Sequence, residues 1–137
     1  MDPLSLAASI TALLQLTATV VGYLNDVKDA SKDRAKVTIE VANVLGLLTC
    51  LQYRVKDAKS DDAWYDAIRV IGAKDGALEQ YHSALEQLAS KLAPGKGIKS
   101  LGRALIWSFE KKEMNDIISR IERLKTLISL ALENDLL

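Results

Sequence analysis

The sequence contains very little of the residue types that disulfide-linked, metal-binding or β-rich proteins use. It has one cysteine, one histidine and two prolines, and 5% of its residues are aromatic. A single cysteine excludes an internal disulfide, and a single histidine excludes a metal site with two histidine ligands. So few prolines and only seven glycines favour long helices over a fold with many turns. The unpaired cysteine suits a reducing cytoplasm.

Net charge is also absent. The 18 basic and 18 acidic residues cancel, and no nucleic-acid-binding motif accompanies the basic ones, so we expect no nucleic acid partner. With 137 residues the chain has room for one domain, which we place at residues 1–137. Basic side chains are concentrated between positions 91 and 112, where Glu110 is the single acidic residue and the local charge is +5. They are Lys91, Lys96, Lys99, Arg103, Lys111 and Lys112.

The opening segment predicts a helix over residues 3–25. Asp2 and Pro3 form a strong helix start, and no charged residue follows before Asp26. At 1.5 Å per residue this segment spans about 35 Å, which exceeds the roughly 30 Å hydrocarbon core of a bilayer. It is therefore either a buried helix of a bundle or a helix that enters a membrane. The side chains that would enter lipid are Leu6, Ile10, Leu13, Leu14, Val20, Val21 and Leu24, and the opposite face carries Ser5, Ser9, Ala12, Gln15 and Thr19.

Apolar residues spaced by three and four predict three further long helices. The second helix begins between Asp29 and Asp33 and ends near Lys59. The third ends before Pro94, and the fourth starts at Glu110. The apolar positions of the second helix are Val37, Val41, Val44, Leu48, Leu51 and Val55. Those of the third are Leu78, Tyr81, Leu85, Leu88 and Leu92, and those of the fourth are Met114, Ile117, Ile118, Ile121, Leu124, Ile128 and Leu132.

Two short amphipathic stretches connect these long helices. One carries Trp64 and Ile68, and the other runs from Ile98 to Trp107. No alternating pattern typical of a strand occurs. The sequence therefore predicts an all-α fold, a bundle of four long helices with one or two short connecting helices. The residues expected in its core include Leu48, Leu85 and Ile121.

Residues that could carry chemistry are sparse. His82 has Glu79 and Glu86 one helical turn away, a pattern typical of a half-exposed surface histidine. Cys50 is surrounded in sequence by leucines 47, 48 and 51, so we expect its thiol to pack as a small apolar group. Without a histidine near the cysteine, no catalytic dyad forms. We therefore expect no enzymatic activity, no cofactor and no metal.

The basic stretch between positions 91 and 112 also contains Trp107 and Phe109. Adsorption to anionic lipid uses such a combination of basic, apolar and aromatic side chains, and each nearby Lys or Arg contributes about 1 kcal/mol. The alternative is a linker helix that packs on the core and has a solvated basic rim. The side chains expected to contact lipid headgroups are Lys96, Lys99, Arg103, Lys111 and Lys112.

Several segments together suggest a family. They are MDPLSLAASI at 1–10, LLQL at 13–16, YLNDVKDA at 23–30, LEQLASKL at 85–92, LGRALIWSF at 101–109, IERLK at 121–125 and LALEND at 130–135. With these segments the chain resembles the N-terminal domain of fungal NLR-like (STAND) receptors, which is related to the HeLo-like group of helical bundles. Relatives often have proline between the tryptophan and phenylalanine, where Ser108 stands here.

The resemblance implies a helical bundle that precedes a nucleotide-binding NACHT module and ankyrin-type repeats, in receptors of non-self recognition and regulated cell death. In HeLo-type relatives the bundle oligomerises, targets the membrane and inserts its N-terminal helix. We therefore expect a cytoplasmic effector that moves to the membrane on activation, with further copies of itself and anionic lipid as partners. A NACHT receptor would act in cis or in trans. The alternative is a soluble adaptor that signals by homotypic association without membrane activity.

Overall fold

Five α-helices account for most of the residues that the computed structural model describes, which are 3–27, 31–57, 63–92 and 109–135. No strand occurs within these four ranges. The fold is therefore all-α, as predicted, and four long helices with one short helix form a bundle. The predicted connecting helix Ile98–Trp107 lies outside the described residues. The helices are α1 (Pro3–Asn25), α2 (Lys32–Asp57), α3 (Ala63–Ile71), α4 (Ala77–Leu92) and α5 (Lys111–Asp135).

Local hydrogen bonds explain where two of the helices begin. The Ser31 hydroxyl accepts a hydrogen bond from the backbone N–H of Arg34 at 3.2 Å, which caps the start of α2. Before α4, the backbone N–H of Asp75 donates to the Glu79 carboxylate at 2.7 Å. Asp75 itself adopts a left-handed conformation with φ of 60°. Gly76 follows it in so tight a turn that a Cβ atom there would lie 2.8 Å from the carbonyl oxygen of Ala73.

The core lies between α1, α2, α4 and α5. All six residues of the predicted α2 seam are buried, because their spacing places them on one side of the helix. Leu48, Leu85 and Ile121 are each 0% exposed, which confirms the predicted core positions. The described buried residues are apolar apart from Thr17 and the phenols of Tyr65 and Tyr81.

Side-chain contacts fix the directions of the four long helices. The Gln52 amide, near the end of α2, donates to the Thr11 hydroxyl in the first half of α1 at 2.6 Å, so these two helices are antiparallel. Contacts also show that α5 is parallel to α2 and antiparallel to α4, and α1 is consequently parallel to α4. The pairs that show this are Lys36–Glu122 and Glu40–Lys125 between α2 and α5, and Lys91–Glu113 and Gln80–Arg123 between α4 and α5.

The bundle therefore has two distinct ends. The upper end holds the last residues of α1 and α4 and the first residues of α2 and α5. The lower end holds the opposite termini together with α3, where the Trp64 indole N–H donates to the carbonyl of Ala131 at 2.8 Å. The Arg54 guanidinium lies 4.2 Å from the centre of the same indole ring. Tyr65, which the sequence did not single out, is fully buried in this corner.

Candidate membrane-contact surface

The residues predicted to enter lipid form the inner face of α1. Leu6, Ile10, Leu13, Val20 and Leu24 are buried, and Leu14 and Val21 are half-buried against the core. Their spacing of three and four residues brings them to one side of the helix, where they pack on α2 and α4. In this bundle they contact protein, so any contact with lipid requires α1 to leave its place.

The outer face of α1 is exposed but carries no charge. Ser5, Ala8, Ala12, Gln15 and Thr19 lie on it, and their side chains are small or weakly polar. The Thr19 hydroxyl donates to the carbonyl of Gln15 within the helix at 3.0 Å, so its donor is already satisfied without solvent. Neither face of α1 therefore carries a charge that would oppose contact with an apolar environment.

Two described helices are long and apolar enough to cross a membrane by length and composition. They are Ser5–Asn25, with a mean hydropathy of 1.5, and Lys32–Asp57, with a mean hydropathy of 1.2. Core helices of soluble bundles pass the same test. Within α2, however, the uncharged stretch runs only from Val41 to Tyr53, about 20 Å at 1.5 Å per residue. Among the described residues, α1 alone has an uncharged span that matches the thickness of a bilayer core.

Neutral hydrogen bonds and apolar packing hold α1 in the bundle. The hydroxyls of Thr17 and Tyr81 are 2.8 Å apart and fully buried between α1 and α4. The bond from Gln52 to Thr11 is half-buried, and Thr11 in turn donates to the carbonyl of Ala7 at 3.0 Å. Because α1 has no charged side chain, no side-chain ion pair attaches it to its neighbours, whereas ion pairs link α5 to both α2 and α4.

Burial raises the pKa of the Tyr81 phenol above its ordinary value, and its hydrogen bond with Thr17 offsets only part of this shift. The folded protein therefore holds this proton at a pH where the unfolded chain, with a phenol pKa of about 10, loses it. The stabilisation is complete below pH 10 and is lost as the pH rises further, by about 1.4 kcal/mol per pH unit for one group.

Tyr81→Phe should consequently lose less stability between pH 9 and about 11 than the wild type does, measured by chemical denaturation. Tyr53→Phe, which removes a phenol that is 69% exposed, is the control and should follow the wild type.

The structure describes only part of the predicted headgroup site. Lys96, Lys99 and Arg103 lie outside the described residues, and Lys111 and Lys112 are exposed at the start of α5. Cations at a helix N-terminus add to the positive end of the helix dipole, so these two lysines strengthen the positive potential of the upper end.

Part of the positive charge of residues 91–112 is neutralised by an acidic side chain that lies outside this interval in the sequence. The Lys91 ammonium lies 2.7 Å from the Glu113 carboxylate and 4.7 Å from the centre of the Phe109 ring. Glu113 lies one residue beyond the interval 91–112, so the local charge of +5 does not include its carboxylate. This contact joins the end of α4 to the start of α5 and fixes both ends of the intervening segment at the upper end.

Of the two residues considered for chemistry, His82 lies as predicted and Cys50 does not. The prediction that Cys50 packs as a small apolar group is wrong, because its side chain is exposed. It lies two positions beyond Leu48, a rotation of about 200° that places it on the outer face of α2. His82 is half-exposed as predicted, and its Nδ1 lies 2.9 Å from the Glu86 carboxylate. Within the described ranges, no group of three or more histidine, cysteine, aspartate or glutamate residues is arranged to hold a metal ion.

Comparisons with known proteins add nothing to this geometry. No family model matches the chain, and no curated protein or solved structure matches it. The features that bear on function are therefore the residues of α1 and of the upper end, together with the family resemblance of the sequence.

Proposed function

We propose that this chain is the effector domain of a fungal NLR-like system that causes regulated cell death by oligomerising and inserting α1 into membranes. The observation that carries the proposal is the combination of an uncharged α1, long enough to span a bilayer, with an attachment made of apolar packing and neutral hydrogen bonds. The bundle is the cytoplasmic resting state, and relocation to the membrane follows activation.

The energetics of α1 are compatible with such a transfer. A helix satisfies its backbone hydrogen bonds internally, and this is a requirement for crossing lipid. Leu6, Ile10, Leu13, Val20 and Leu24 leave an apolar core and enter an apolar bilayer, so these side chains are shielded from water both before and after the transfer. On insertion scales each central leucine, isoleucine or valine contributes about −0.3 to −0.6 kcal/mol.

Departure of α1 also provides a reason for self-association. Buried residues of α2 and α4, among them Val41, Val44 and Leu85, would lose the helix that shields them from water. Exposed apolar surface of this kind is covered most readily by another copy in the same state. Release of α1 and oligomerisation are therefore coupled in this proposal, and a NACHT receptor in cis or in trans would bring the copies together.

Liposome leakage tests the proposal directly. Dye release should be stronger from anionic than from neutral liposomes, because Lys96, Lys99, Arg103, Lys111 and Lys112 supply the contact with headgroups. Reversing four of these charges, at Lys99, Arg103, Lys111 and Lys112, should remove most co-sedimentation with anionic liposomes. The matched control reverses four exposed basic residues away from the upper end, at Lys56, Arg69, Lys74 and Arg123, with the same change in net charge.

The two sets of reversals separate a local site from general electrostatic attraction. Equal loss of liposome binding in both sets would contradict a headgroup site at the upper end. Strong leakage from neutral liposomes would likewise remove the role assigned to anionic lipid.

The soluble adaptor is the second candidate, and the burial of Leu6, Ile10, Leu13, Val20 and Leu24 on the apolar face of α1 favours it. In an adaptor, α1 is a permanent part of the core and the outer surface recruits other copies. Concentration-dependent association with no leakage and no liposome binding, even when the copies are brought together by a fused dimeriser, would establish this function in place of the first.

A further inference from the structure

Thr17 and Tyr81 form a polar contact between two helices in an interior that is mostly apolar. Both side chains are fully buried, and their hydroxyls form a hydrogen bond of 2.8 Å between α1 and α4. Around them the core consists of leucine, isoleucine, valine and other apolar residues. A neutral hydrogen bond of this kind adds little net stability, and two apolar groups of the same shape would pack equally well. The pair therefore calls for an explanation beyond the stability of the fold.

The two partners differ in what they can do when the bond is broken. A threonine within a helix can donate to the carbonyl four residues earlier, as the hydroxyls of Thr11, Thr19, Thr38 and Thr49 do in this protein. Thr17 has the same option through the carbonyl of Leu13. The phenol of Tyr81 has no comparable local partner, because its ring carries the hydroxyl away from its own backbone. With α1 in place, Tyr81 depends on Thr17.

From this asymmetry we infer that the buried Tyr81 phenol forms a latch with Thr17: while the phenol is present, the closed position of α1 depends on Thr17 as its hydrogen-bond partner, and loss of that partner opens α1 first. If Thr17 cannot bond to it, the buried phenol regains a partner only when α1 moves away and water enters. A second inter-helix hydrogen bond of α1, from Gln52 to Thr11, cannot take this role, because it is half-buried and water can replace it. Near its end, α4 is also attached to α5 through Lys91 and Glu113. Opening is thereby directed to α1.

The latch deepens the proposed function, since release of α1 is the step it controls, but it can be tested without a membrane. Native-state hydrogen exchange of α1, α2 and α5 should be compared in the wild type, Thr17→Val, Tyr81→Phe and the double variant. Thr17→Val keeps the size of the side chain and should speed exchange in α1 about tenfold or more, with smaller changes in α2 and α5. Tyr81→Phe and the double variant leave no unpaired phenol, so α1 should exchange nearly as slowly as in the wild type.

Thr49→Val is the matched control, because Thr49 is exposed and its hydroxyl bonds only to the carbonyl of Leu45. Faster exchange of α1 in Thr17→Val than in Thr49→Val, reversed in the double variant, supports the latch. Equal acceleration of all helices in Thr17→Val, or a double variant that opens as readily as Thr17→Val, overturns it.

Two further measurements separate the latch from a simple folding defect and from the proposed function. If Thr17→Val does not fold, a double variant with wild-type melting and exchange identifies the unpaired phenol as the defect, and an unfolded double variant overturns the latch. Dye release then separates the latch from the proposed function. Selective opening of α1 in Thr17→Val without leakage from anionic liposomes retains the latch and contradicts membrane insertion.

Discussion

Truncation of Leu85 to alanine is expected to lower the free energy of unfolding by about 2–5 kcal/mol. The side chain is completely buried where α4 meets the other long helices, and its removal leaves a cavity that the surrounding residues fill only in part. Leu48→Ala in α2 and Ile121→Ala in α5 should have effects of the same size for the same reason. Urea denaturation followed by far-ultraviolet circular dichroism measures all three.

Leu130→Ala is the control for these truncations. Leu130 also lies on α5, but it is 50% exposed, so its truncation removes fewer contacts and leaves no enclosed cavity. Its loss of stability should be well below that of Ile121→Ala. Three core variants no less stable than Leu130→Ala would show that the interior of the bundle differs from the one described above.

Bridging α1 to α2 is expected to abolish dye release from liposomes. Thr11 and Gln52 are suitable positions, because their side chains touch at 2.6 Å and are accessible at the surface between the two helices. The variant Thr11→Cys with Gln52→Cys is made in a Cys50→Ser background, since the exposed Cys50 would otherwise compete for the reagent. A short bis-maleimide with an internal disulfide then ties α1 to α2, and reduction of that disulfide should restore leakage in the same sample.

A second bridge, between Lys36→Cys and Glu122→Cys, provides the matched control. These side chains lie 3.7 Å apart and join α2 to α5, so the bridge restrains the bundle without touching α1. Leakage should survive it. Full leakage from protein with the α1–α2 bridge would contradict the release of α1 alone and would indicate that both helices move together.

Charges introduced into the apolar face of α1 are a less specific test of the release of α1 from the bundle. Glutamate in place of Leu13 or Val20 would put a carboxylate without a partner into the core, because both positions are buried. Such a variant loses the resting bundle before any membrane is present. A reversible bridge leaves the buried residues unchanged and tests only whether dye release requires α1 to separate from α2.

The elements that follow from local sequence rules could be predicted. The bounds of α1 follow from Pro3 and from the uninterrupted uncharged run, and every residue of the α2 seam is buried because spacing by three and four sets the side of a helix. The same rule placed Leu85 and Ile121 in the core. Periodicity is a property of neighbouring residues, so a single sequence suffices to read it.

Contacts between distant residues could not be predicted in this way. Thr17 and Tyr81 are 64 positions apart, and nothing in either segment indicates that their hydroxyls meet. Cys50 has apolar neighbours in sequence yet lies on the outer face of α2, since adjacent residues of a helix point in different directions. Tyr65 was overlooked beside the more conspicuous Trp64, and the pairing of α3 with α5 decides which of the two aromatic rings is fully buried.

The directions of the helices determine how far α1 would have to travel. In the proposed function, Lys111 and Lys112 bring the upper end of the bundle to the lipid, and the carboxyl end of α1 is then nearest the bilayer. Its amino end lies about 35 Å farther away, the length of the whole helix. Entering carboxyl end first would draw α2 into the membrane behind it as a hairpin, together with Lys32, Asp33 and Arg34. Entry amino end first instead makes α1 swing through nearly half a circle, with the short connection between Asn25 and Lys32 as its pivot.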